Sequence, residues 1–215
     1  MKNVRSIAVL LVLTFFIAGC GERIKTASIR TPQLKIGYPQ ISGMKDMTIQ
    51  KKINSVIYST AFKLRDENGP EVETYKGSYT YYVAYEISLR DKDMLSMRIL
   101  ECLSMPRYAH PFNKVCALTI DMKSGSVYSL AQLFEPKSSW KETINGIIKE
   151  KIKKNSILLL KEFKGIDKDQ EFFITKGYLA VFWQEAEYLP RYLGPFTVLI
   201  ERSRISDIMR KDIKF

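Results

Sequence analysis

The chain has 215 residues, with 34 Lys and Arg against 23 Asp and Glu for a net charge of +11, and it contains one His and three Cys. A structural zinc needs four nitrogen or sulfur ligands, which Cys102, Cys116 and the lone His110 do not supply. A Ser-His-acid triad would have to use His110, and no Gly-x-Ser-x-Gly elbow surrounds a serine. Phosphate-loop and dinucleotide fingerprints are missing too, so no cofactor is expected.

At the N-terminus, Lys2 and Arg5 precede an uncharged apolar run of 14 residues from Ser6 to Gly19. This is the basic-then-apolar order of a secretory signal, and it stops short of the roughly 20 residues that span a bilayer. The tetrapeptide Ile17-Ala18-Gly19-Cys20 resembles the lipobox of bacterial lipoproteins, which implies a signal peptide over 1–19 and acylation (diacylglycerol, palmitate) of Cys20. The expected location is the extracytoplasmic side of a bacterial cell membrane. Loss of residues 1–19 leaves 32 basic against 23 acidic residues, or +9. Such a charge favours anionic headgroups or wall polymers, and export removes nucleic acid as a partner. Residues 20–35 read as the lipidated Cys and a tether, with four cations against one acid.

From Gln33 a short extended segment leads to the turn at Ser42-Gly43. Ile49, Ile53, Val56, Ile57, Ala61 and Leu64 then recur at steps of three and four, predicting a helix over 46–66, started by Asp46 or Thr48 and stopped at Asn68-Gly69-Pro70. Strands are expected over 76–89, 94–104 and 113–121, forming an antiparallel meander, with a further one at 126–130. On the first of them Tyr79, Tyr81, Val83, Tyr85 and Ile87 share the face that packs under the helix. The second half repeats the theme with a helix over 138–160, a hairpin over 171–183 with its turn at Lys176-Gly177, a strand over 196–201 and a short basic helix over 206–213. The expected fold class is α+β, with two small helix-on-antiparallel-sheet domains, 36–117 and 118–215, sharing strands near 113–130.

Cys102 and Cys116 lie fourteen residues apart. A turn near Tyr108 to Pro111 would set them at mirror positions on paired strands, as a disulfide or as two buried free thiols. Glu185 and Glu187 flank Ala186 between Trp183 and Tyr188, so in an extended segment both carboxylates point the same way. Paired acids beside aromatic rings suit sugar binding or hydrolysis; the other reading is a solvated loop whose acids pair with Arg191 and nearby lysines. His110, Trp183, Glu185, Glu187, Tyr188 and Tyr192 are the candidate ligand-binding residues.

Several spacings together resemble a known family. Tyr38-Pro39-Gln40-Ile41 ahead of Ile53-Asn54 resembles the start of the DUF4163-like domain that precedes the C-terminal domain (DUF3298) of RsiV-type lysozyme-sensing anti-sigma factors. Arg107-Tyr108-Ala109-His110-Pro111 resembles that family's hairpin loop, with Arg107 and Tyr108 where glycines are usual. Thr119 to Gly125 followed by Leu130 and Leu133-Phe134 resembles its strand-turn signature, with Gln132 in place of the usual Asp. Phe172-Phe173-Ile174, Tyr178 to Phe182 and Tyr192-Leu193-Gly194 resemble its terminal hairpin and tyrosine-glycine loop.

Five residues ahead of the apolar run are too few to hold a sigma factor, and no deacetylase domain fits before Phe215. The resemblance therefore implies a stand-alone lipoprotein member, a non-enzymatic binding module. Its expected ligand is a wall component, such as peptidoglycan or anionic wall polymer, or a lysozyme-like protein. A glycan-acting enzyme using Glu185 and Glu187, or a scaffold of an envelope complex, are the alternatives.

Overall fold

A computed structural model describes residues 22–215; Cys20 and the signal segment lie outside the described residues. The elements run β1 (Arg23–Arg30), β2 (Leu34–Ser42), α1 (Met47–Ala61), α2 (Lys63–Glu67), α3 (Gly69–Thr74), β3 (Thr80–Arg90), β4 (Met94–Ser104), β5 (Phe112–Asp121), a 3-10 turn (Leu130–Leu133), α4 (Trp140–Lys154), β6 (Phe172–Thr175), β7 (Tyr178–Trp183) and β8 (Phe196–Glu201). The fold is α+β.

Helix α1 forms where the three-and-four spacing put it, burying Ile53, Ile57 and Ala61. Asp46 starts it by accepting the Thr48 and Ile49 amides at 2.8 and 3.0 Å. The expected single helix over 46–66 is broken at Phe62 into α1 and α2; α2 ends at Glu67 with Asn68 as its cap, as expected, and Gly69-Pro70 then opens α3. Proline in a first turn has no amide hydrogen bond to lose there.

Strands β1 to β5 form one sheet in sequence order. The stretch expected as a tether is its edge strand, paired antiparallel with β2 from Arg23 opposite Ser42 to Arg30 opposite Lys35. Its partly buried positions, Ile24, Ala27 and Ile29, do not alternate cleanly, which hides the strand from a period-two reading. The sheet is also not wholly antiparallel. Helices α1 to α3 carry the chain across from β2, so β3 pairs parallel to it, with Leu34, Lys35 and Ile36 opposite Tyr81, Tyr82 and Val83. Tyr81 and Val83 are buried, with Tyr79, Tyr85 and Ile87 partly buried against the same core, as the strand's alternation predicted.

Strands β6, β7 and β8 form a second sheet. One face, with Leu179, Val181 and Trp183, shares a core with Ile144, Ile147 and Ile148 of α4. The other face, with Phe173, Ala180 and Phe182, packs on Val115 and Ala117 of β5. Burying a phenylalanine this way stabilises by about 1.5–3 kcal/mol. The layers are therefore α1, first sheet, second sheet and α4, and both main cores are built from described residues.

Three later expectations are corrected. Residues 126–130 are not a strand; Val127 makes one bridge to Ile120 before the 3-10 turn. Helix α4 ends at Lys154, and Ile157 and Leu159 continue without helical structure, packed against the core. Residues 206–213 are turns, with Met209 bridged to Phe134.

Register divides the first sheet into two ends. Arg23, Ser42, Arg90, Met94 and Asp121 lie at the entry end, where Arg90 Nη2 donates to the Glu22 carbonyl at 2.7 Å. Arg30, Leu34, Thr80, Ser104 and Phe112 lie at the distal end. The eleven residues of β3 separate the two ends, roughly 33 Å at about 3.3 Å per residue.

Candidate functional site

Two loops meet at the distal end, the β4–β5 loop around Arg107 to Pro111 and the β7–β8 connection from Gln184 to Pro195. Asn113 Nδ2 donates to both Glu185 oxygens, at 3.3 and 3.2 Å. Arg191 Nη1 lies 3.0 Å from Glu185 Oε1 and 3.3 Å from the Pro111 carbonyl oxygen, so one guanidinium ties the two loops together. Both loops carry left-handed non-glycine backbone, Arg107 at φ 75° and Ala186 at φ 62°. Such conformations cost of order 1–3 kcal/mol and collect at functional sites.

The turn at Ala186 corrects the paired-acid alternative for Glu185 and Glu187. The segment is not extended, and the acids bind different cations: Glu185 holds Arg191, while Glu187 lies 3.6 Å from Lys161. This is the loop reading, with each acid neutralised separately. Trp183 and Tyr188 are corrected as well. They are 3% and 6% exposed, with Trp183 stacked on Phe196 at 5.2 Å and edge-on to Phe163 at 5.5 Å. Their rings belong to the core beneath the loop.

The exposed rim comes from other side chains. His110 is exposed on its loop. Tyr192 is 84% exposed and Leu193 55%, both held out by the short turn ending at Gly194, whose φ of 72° favours glycine. Tyr108 sits edge-on against Phe112 at 4.8 Å. The rim thus combines His110, Tyr108, Tyr192 and Leu193 around the ion pair of half-buried Glu185 with exposed Arg191.

Cys102 and Cys116 are free. Cys102 lies opposite Asn113 and Cys116 opposite Ile99, so the hairpin register is three residues away from the mirror pairing expected of them. An odd offset puts the two thiols on opposite faces of the sheet. Burial pushes the Cys102 thiol up, and the charge of neighbouring Glu185 adds to it. Cys116 is raised further by burial and by Glu101.

Three residues with architectural roles escaped the sequence reading. Gln184 Nε2 donates to the Val115 carbonyl at 2.8 Å, and its Oε1 accepts the Val115 amide at 3.0 Å. Glu171 accepts the Ala117 amide at 3.2 Å, and burial holds its carboxyl above the usual range. Glu101 is 2% exposed beneath α2, accepting the Leu64 amide at 2.8 Å and the Cys116 thiol at 3.4 Å while contacting the Tyr81 hydroxyl. No local pattern marks any of these, because each partner is distant in sequence. Among the described residues no three His, Cys, Asp or Glu group as a metal site, and no helix is long and apolar enough to cross a membrane.

Residues 131–203, which span the 3-10 turn, α4 and the second sheet, match the model of a family described as a protein of unknown function, DUF3298. Two solved structures share the whole fold. A DUF3298 family member from Bacteroides fragilis aligns with TM-score 0.62 at 13% identity, over 95% of this chain and 96% of that one. A DUF3298 family protein from Pseudomonas aeruginosa aligns with TM-score 0.63 at 9% identity, over 90% and 96%. No curated protein matches the chain.

Proposed function

We propose that the chain is an exported lipoprotein, anchored through acylated Cys20, whose distal loop cluster binds a wall component or an extracellular protein such as a lysozyme-like ligand. The observation that carries the binding half is the convergence of two strained loops on the Glu185–Arg191 pair, which holds exposed His110, Tyr192 and Leu193 together at one end. Tyrosines of this kind supply large contact area at low entropic cost, as binding surfaces require. The reading is non-enzymatic.

The anchor half rests on the basic and apolar order of residues 1–19 and on Ile17-Ala18-Gly19-Cys20. Gly21 and Glu22 alone separate Cys20 from the first residue of β1 in the sequence. Acylation there would seat the entry end on the membrane and turn the distal loops away from it by about the length of β3. Growth with labelled palmitate tests this directly. Label and membrane fractionation of the full chain should both be lost in Cys20→Ala; label retained in that variant, or a wild-type chain in the soluble fraction without label, would defeat the anchor.

A further inference from the structure

The second sheet covers only part of the first. Arg98 of β4 lies over the Phe173 ring at 4.6 Å, and Val115 and Ala117 are roofed by Phe173 and Phe182. From β1 to the Tyr82–Ala84 part of β3 the same face is open, while Leu89 farther along β3 packs into the second core. It forms a groove of about 460 Å³ lined by Thr26, Ser28, Arg30, Lys35, Gly37 and Tyr82, among others.

Register explains how these side chains come together. Arg30 is opposite Lys35 and Ser28 opposite Gly37, while Lys35 is opposite Tyr82. Tyr82 is in turn opposite Cys102, and Cys102 opposite Asn113, so the groove lies in one cross-sheet row with the Glu185–Arg191 cluster. Arg30 and Lys35 are the only charged residues in the lining. Neither makes an ion pair among the described residues, where other surface cations such as Arg191 and Arg204 do. Gly37 leaves the floor flat, and Tyr82 is 53% exposed at the side.

We propose that this groove binds a carboxylate-bearing pyranose of an anionic polysaccharide. A guanidinium and an ammonium with no acid between them fit one carboxylate through charge-assisted hydrogen bonds. A tyrosine face beside them takes the apolar face of a sugar ring, and the Ser28 hydroxyl, with the Thr26–Tyr85 hydroxyl pair at 2.7 Å, exchanges hydrogen bonds with ring hydroxyls. Ile36 and Val83 turn their side chains into the core beneath, leaving Ala84, the tyrosine rings, the hydroxyls and Gly37 on the groove side without a deep apolar pocket for a peptide side chain, which favours a glycan over an acidic peptide. The assignment gives a ligand class to the exported binding module and rests on that reading for its physiological source; the groove's affinity itself does not depend on the distal loops.

The test is titration calorimetry of the chain from Glu22 to Phe215, which contains both cores, with oligogalacturonate, its neutral methyl ester, poly-aspartate and inorganic phosphate. Oligogalacturonate should bind at least about tenfold more tightly than the ester or phosphate. Arg30→Ala with Lys35→Ala should lower that affinity by about ten- to a hundredfold, and Tyr82→Ala by roughly tenfold, with circular dichroism unchanged. Leu158→Ala, at an exposed position outside both the groove and the distal loops, should leave it intact. Poly-aspartate binding equally well would overturn the glycan assignment, as would phosphate matching oligogalacturonate or groove variants that bind like wild type.

Discussion

Gln184 clasps Val115 by both backbone polar groups, accepting its amide at 3.0 Å and donating to its carbonyl at 2.8 Å. Strand β5 is the last in its sheet, so these groups face no sixth strand. A single amide side chain takes the place of that neighbour and fixes β7 against the first sheet. Gln184→Ala leaves a half-buried donor and acceptor without partners and is expected to cost about 1–3 kcal/mol. Urea unfolding checks this; a loss below a few tenths would mean that water replaces the amide without cost.

Tyr81 has one hydroxyl hydrogen and two neighbours, the Ala61 carbonyl at 3.0 Å and the Glu101 carboxyl. Both contacts are satisfied at once when Glu101 is protonated and donates to the phenol oxygen. Burial pushes the Glu101 carboxyl up in agreement, against the opposing pull of its hydrogen bonds. A raised folded-state value means that the stability this group contributes is full below the ordinary carboxylate range and is lost as pH rises through the raised value. Asp93, Glu150, Glu201 and Asp212, held low by their bonds to Lys123, Arg204, Lys151 and Arg210, carry the opposite sign at lower pH. The clean comparison is therefore wild type against Glu101→Gln. The advantage of wild type should be largest in mild acid and shrink as pH rises; an advantage that grows with pH would mean that the fold holds the carboxylate charged.

The α1 face and the Tyr81–Val83 face were legible because burial there follows a single period. The same logic found the β6–β7 hairpin, whose turn at Gly177 has a φ of 80°. Strand β1 was not legible, since Ile24, Ala27 and Ile29 break the alternation that a buried face imposes. At the candidate site, the sequence singles out Glu185, Tyr192 and His110 by residue type and loop context, and all three lie in the distal loops. What joins them, Arg191 bonding to Pro111 across 80 residues of chain, leaves no local trace. Trp183 was misplaced because a tryptophan beside two acids has the same sequence whether its ring faces solvent or the core.

That burial difference predicts opposite outcomes for two aromatic truncations. Trp183→Ala opens a cavity among Phe163, Tyr188 and Phe196 and should cost about 3–5 kcal/mol. Tyr192→Ala, at 84% exposure, should stay within about 0.5 kcal/mol of wild type. Thermal unfolding of the two variants side by side measures both.

The strand register predicts that Cys102 and Cys116 stay unbridged even under oxidising conditions. Native labelling with a maleimide should modify partly exposed Cys102 and spare Cys116 until the chain unfolds. An intact mass that rises by two hydrogens on reduction would refute the register.

The most direct test of the binding account is pull-down of residues 22–215 with peptidoglycan, anionic wall polymer and lysozyme across a salt series, in an Arg30→Ala, Lys35→Ala background that silences the groove, comparing native distal loops with a variant also carrying Arg191→Ala and Tyr192→Ala. Saturable binding to one ligand that persists beyond simple charge screening and is lost in the variant is the predicted result. Binding that vanishes with modest salt, or that the distal-loop variant keeps in full, would contradict the assignment of that cluster as the ligand surface.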